Sequence, residues 1–84
     1  MTQNIFQAAK DRWTGLGLEF KEEYFTNVGV AYEFNGKDEV IRAMNEVILQ
    51  ISEHDLEGEY HITYSQRYDD DSDEYIYRIL IEEL

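Results

Sequence analysis

The chain has 84 residues, 43% of them apolar and 14% aromatic, and nineteen Asp and Glu against seven Lys and Arg give a net charge of −12. That length supports one hydrophobic core and not two, and the aromatic content separates it from a disordered acidic tail. The charge argues against affinity for bare nucleic acid or an anionic membrane, and the absence of Cys excludes a disulfide framework and a thiolate metal site.

Ile5, Ala9 and Trp13 recur every four residues with Phe6 beside them, behind Thr2 or Asn4 as N-caps, and Gly15 and Gly17 close the segment. This spacing predicts a helix of about three turns. Leu16, Leu18 and Phe20 then alternate with Gly17, Glu19 and Lys21, which predicts a strand over 16–21. After a turn at Thr26 and Asn27, the alternation of Val28, Val30, Tyr32 and Phe34 predicts a second, antiparallel to the first. Asn35-Gly36 stops it. Asp38 is the expected cap of a second helix whose apolar face is Val40, Ile41, Met44, Val47, Ile48 and Ile51. Tyr60, Ile62 and Tyr64 alternate with polar residues, Asp69 to Asp73 is turn-like, and Tyr75 to Ile81 is β-branched and aromatic, so a second hairpin closes the chain.

The expected fold is therefore a single α+β domain of order α-β-β-α-β-β over residues 1–84, an antiparallel four-stranded sheet with two helices on one face. The last strand is apolar on both sides through Ile76, Ile79, Leu80 and Ile81, which predicts a central or covered position, because an exposed edge of that kind aggregates. No stretch reaches the apolar length of a membrane span, and Met1 to Gly17 lacks the basic start and apolar run of a signal peptide; a cytoplasmic protein is expected.

Catalytic constellations are missing. Ser52, Ser65 and Ser72 have no nucleophile-elbow or lysine-paired setting, and Gly15-Leu16-Gly17 lacks the remainder of a phosphate-binding loop. No enzyme activity and no cofactor are expected. Asp69, Asp71 and Asp73 open like a calcium loop, but Glu74 stands where the sharp turn needs Gly and Leu80 where the bidentate Glu belongs. His54 and His61 have no third ligand pattern, so no metal is predicted.

The charge itself is the remaining signal. Residues 1–52 hold eight acids and five bases, whereas residues 53–84 hold eleven acids and two bases, so one side of the domain carries most of the field. Glu53, Asp55, Glu57 and Glu59 fall at every second residue. If a strand begins at 57–59, its alternate carboxylates project about 6.6 Å apart on one side, similar to the repeat of charge along a nucleic-acid backbone. Asp69, Asp70, Asp71, Asp73 and Glu74 follow, with Tyr60, Tyr64, Tyr68, Tyr75 and Tyr77 among the acids to supply apolar interface area. The expected partner-binding residues are Glu57, Glu59, Tyr68, Asp69, Asp70, Asp71, Asp73, Glu74 and Tyr75.

In size, acidity and lack of Cys the chain resembles small phage-encoded inhibitors of bacterial defence nucleases, and nuclease-neutralising immunity proteins. The likeness is one of composition and transfers no residue role. It implies a basic protein partner with a nucleic-acid site, such as a CRISPR effector or a restriction nuclease. The competing expectation is an adaptor or subunit whose acidic side binds a basic protein surface unrelated to nucleic acid, and a third is acids that only solubilise the domain.

Overall fold

Four-residue apolar spacing builds the first helix. In the computed structural model, which describes residues 5–84, helix α1 (Ile5–Gly15) buries Ile5, Ala9 and Trp13; the candidate caps Thr2 and Asn4 lie outside the described residues. α1 ends in a Schellman motif. The Leu18 N–H donates to the Trp13 carbonyl (2.8 Å), the Gly17 N–H donates to that of Thr14 (3.1 Å), and Gly17 takes φ +75°, which glycine adopts without a Cβ clash.

The strand expected over 16–21 is not there. The N–H groups of Leu16, Gly17 and Leu18 are committed to carbonyls of α1 and have nothing to offer a ladder, so Leu18 and Phe20 enter the core from a loop. Strand β1 begins only at Glu22 (Glu22–Phe25) and pairs antiparallel with β2 (Gly29–Phe34). The Thr26 hydroxyl closes the turn between them, accepting from the Val28 and Gly29 N–H groups at 3.2 and 2.9 Å.

Helix α2 (Lys37–Glu53) starts at Gly36, in extended conformation; Asp38 lies inside the first turn and is not the cap. There its charge favours the positive end of the helix dipole. The buried face is Val40, Ala43, Val47, Gln50 and Ile51, so the expected stripe is rotated: Ile41 and Ile48 are exposed and Met44 is half-buried. The reason is the second helix. Trp13 Nε1–H donates to the Ala43 carbonyl at 3.0 Å and Gln50 Nε2–H to the Ala8 carbonyl at 2.9 Å. Only a small side chain at 43 lets α1 approach that closely. A second Schellman motif ends α2, with Leu56 N–H on the Ile51 carbonyl (2.9 Å), Asp55 N–H on that of Ser52 (3.1 Å), and Asp55 at φ +55°.

Strands β3 (Tyr60–Asp69) and β4 (Glu74–Glu83) complete an antiparallel sheet of order β1-β2-β4-β3. β4 is central, as its two-sided apolarity predicts. The register aligns Val30, Tyr32 and Phe34 with Ile81, Ile79 and Tyr77, and Ile62 and Tyr64 with Ile81 and Ile79; both helices cover this face. The Trp13 ring stands edge-on to Tyr32 (5.0 Å between centroids) and Phe34 (5.4 Å), and Phe6 meets Tyr60 at 6.0 Å. Gly29 lies so close to β4 that a Cβ would collide with the Ile81 carbonyl oxygen. Among the described residues no helix is long and apolar enough to cross a membrane.

Candidate functional site

β2 stops pairing with β4 at Phe34↔Tyr77, but the β3–β4 ladder continues through Arg67↔Ile76, Tyr68↔Tyr75 and Asp69↔Glu74. A two-stranded tip therefore runs past the end of β2, with Ile76 still buried at its base. It carries five carboxylates in six residues (Asp69, Asp70, Asp71, Asp73 and Glu74), and no Lys or Arg lies between Arg67 and Arg78 to neutralise them.

The tip acids have two different jobs. Asp69 shapes the turn: its Oδ1 accepts from the Asp71 N–H and its Oδ2 from the Ser72 hydroxyl, both at 3.1 Å, and its carbonyl accepts from the Asp73 N–H at 2.8 Å. Asp73 holds φ +58°, a conformation Asp tolerates better than most residues. Asp70, Asp71, Asp73 and Glu74 are exposed. Beside them Tyr68 and Tyr75 are 46% and 51% exposed. Their rings meet edge-on at 5.4 Å, and Tyr75 stacks on Tyr77 at 6.4 Å. The tyrosines share the sheet face that the helices occupy elsewhere; Tyr77 packs against the core, while Tyr68 and Tyr75 stay half exposed.

Glu57 and Glu59 do not join this cluster, and no strand begins at 57–59. Both lie in the turn before β3, where the Glu59 N–H donates to the Leu56 carbonyl and its carbonyl accepts from the Leu84 N–H. The ten residues of β3 put about 30 Å between them and the tip. Glu53 is the last residue of α2 and Asp55 its left-handed terminator, so the every-second-residue array is a helix end and a turn. Glu82 and Glu83 end β4 opposite His61 and Tyr60. Burial, then the charges of Glu83 and Glu59, push the Tyr60 phenol up. The acids thus form two poles at the ends of the β3–β4 hairpin, in a molecule 43 Å long.

Between the poles the helix-free sheet face is not acidic. Glu33, only 2% exposed, accepts from Arg78 Nη2 (2.6 Å) and Nε (3.2 Å), with Arg67 Nη2 at 3.7 Å, and the Arg78 guanidinium lies 5.3 Å from the Tyr24 ring centre. Sequence reading misses this clamp because its partners are 34 and 45 residues apart, and only the register brings them together. On the opposite, helix-covered face Glu23 lies 3.2 Å from Lys10 Nζ of α1. Its neighbour Tyr32 is buried, and that burial first, then the Glu23 carboxylate, pushes the phenol well up. Among the described residues no three His, Asp or Glu side chains converge as a metal site.

Comparison with known protein families, curated proteins and solved structures finds no match for this chain.

Proposed function

We propose that the protein is a non-enzymatic acidic inhibitor that docks the tip of its β3–β4 hairpin into the basic nucleic-acid-binding site of a partner protein. The observation that carries the reading is the overhang: three residue pairs and a turn projecting past the end of β2, charged at the rim, with Tyr68 and Tyr75 at the centre. A partner that grips phosphates presents Lys and Arg in a groove and gains affinity by releasing counterions. Fixed carboxylates at the tip use the same physics, and the exposed rings add area that loses little entropy on binding. The competing reading, an adaptor that binds a basic surface unrelated to nucleic acid, uses the same tip and differs in one outcome. Capture of partners from lysate with and without added nucleic acid separates them: a mimic loses its partner when nucleic acid is in excess, and an adaptor keeps it.

A further inference from the structure

Helix α1 packs along one flank of α2, where Trp13 bonds Ala43, Gln50 bonds Ala8 and Arg12 pairs with Glu46. The opposite flank has no helix on it among the described residues. Its row of side chains is Ile41, Asn45, Ile48 and Ser52, spaced by three and four residues and free of charge; Ile41 is 38% and Ile48 47% exposed. A shallow groove of about 400 Å³ separates Ile48, Ile51 and Ser52 of α2 from Tyr60 and Ile62 of β3, so this flank looks over the outer strand. α2 begins where β2 ends, level with Tyr77 and Gln66. It therefore runs antiparallel to β3, and Ile41 lies toward the tip. Ile62, Tyr64 and Tyr68, on the same sheet face, carry the floor on to Tyr75. The result is an uncharged apolar band with acid at both ends. At one end Glu57 borders the groove and Glu53 closes α2; at the other Asp38, Asp70, Asp71 and Glu74 outnumber Lys37. No Lys or Arg lies between Arg42 and Arg67, and Arg67 is turned to the other sheet face, toward Glu33.

We propose that this band receives an amphipathic helix of a partner protein, its apolar face on Ile41, Ile48, Ile62 and Tyr64 and its Lys and Arg residues at both ends. Charge selects the occupant. Two copies of the band set face to face bring acid against acid at both ends, whichever way they run, and like charges across an interface oppose binding. A helix with basic ends meets opposite charge at both. About 18–20 helical residues span the distance of about 30 Å between the two acidic poles, and apolar anchors at i, i+3, i+4 and i+7 suit a row spaced as Ile41, Asn45 and Ile48 are. The inference goes beyond tip docking, because this surface lies beside α2 and takes in a helix, whereas the tip enters a groove of its partner.

The probe is a synthetic peptide of about 18 residues, with Leu at i, i+3, i+4 and i+7 and with Lys and Arg confined to its first and last turns. Its binding to the full chain is read by fluorescence anisotropy, and its helix content by circular dichroism. The peptide should bind with Kd of about 10 μM or tighter and gain helix on binding. Ile41→Asn and Ile48→Asn should each weaken it at least about tenfold and leave the fold unchanged, since neither side chain is in the core. Leu49→Asn should leave affinity unaltered, because Leu49 is equally exposed but lies off the row. A peptide with Glu in place of the terminal bases, and a scrambled peptide of the same composition, should each bind at least about tenfold more weakly. No binding at about 100 μM overturns the proposal. So do a scrambled peptide that binds as tightly, binding without gain of helix, and an Ile48→Asn variant with wild-type affinity. Sedimentation of the chain alone should give 10.0 kDa; a dimer that Ile48→Asn dissociates would put a second copy on the band and refute the partner helix.

Discussion

Arg78→Ala probes the packing of the helix-free face. Glu33 is enclosed, and two of the three contacts to its carboxylate come from Arg78. Removing the partner of a fully buried ion pair costs about 3–5 kcal/mol. Here the Arg78 side chain is 40% exposed and Arg67 remains at 3.7 Å, so water and a second guanidinium offset part of that loss. The expected cost is about 2–3 kcal/mol, including about 0.5 from the Tyr24 contact. For a chain of this size it lowers Tm by roughly 10–20 °C. Urea denaturation followed by fluorescence of Trp13, the single tryptophan, measures it. Glu33→Gln added to Arg78→Ala should recover about 1–2 kcal/mol of coupling in a double-mutant cycle, because the orphaned charge is gone. A loss below about 0.5 kcal/mol, the level of a surface change, refutes the assignment of Glu33 as a buried charge that Arg78 compensates.

Val47→Ala should cost about 2 kcal/mol and Ile48→Ala less than about 1 in the same assay, since only the first is in the core; the reverse order would mean that α2 is rotated. Asp55→Gly should stabilise by about 0.5–1 kcal/mol, because glycine holds the left-handed end of α2 without strain, and destabilisation would contradict the geometry. Tyr32 keeps its proton more tightly folded than unfolded, so its contribution is complete below about pH 10 and is lost as pH rises beyond it. The urea midpoint should therefore fall as pH rises from about 10 to 12, and fall less in Tyr32→Phe; an identical fall in both would remove Tyr32 as the cause.

The element order and the central place of β4 were legible because they follow from local periodicity and from the cost of a two-sided apolar edge. The first strand was misplaced because Leu18 and Phe20 alternate like a strand, while the signal that decides the segment, Gly17 terminating α1, consumes the backbone donors. α2 showed its amphipathicity but not its rotation. Ala43 and Gln50 look unremarkable as core residues until Trp13 and Ala8 are set against them. For the candidate site, the crowding of acids and tyrosines at residues 68–75 was visible, and its projection was not, since overhang depends on where β2 stops pairing. Glu57 and Glu59 were grouped with the tip by charge alone, though a full strand separates them.

The central claim concerns the tip, and Asp70→Lys, Asp71→Lys and Glu74→Lys together test it most directly. These acids are exposed and spare Asp69, which the turn needs. The measurement is affinity for a partner captured from lysate, with salt varied between about 50 and 200 mM and nucleic acid as competitor. Wild type should bind less tightly as salt rises and be displaced by nucleic acid, while the triple variant, folded by circular dichroism, should lose several kcal/mol of affinity. A variant that binds as tightly as wild type, with the same salt slope, contradicts the account.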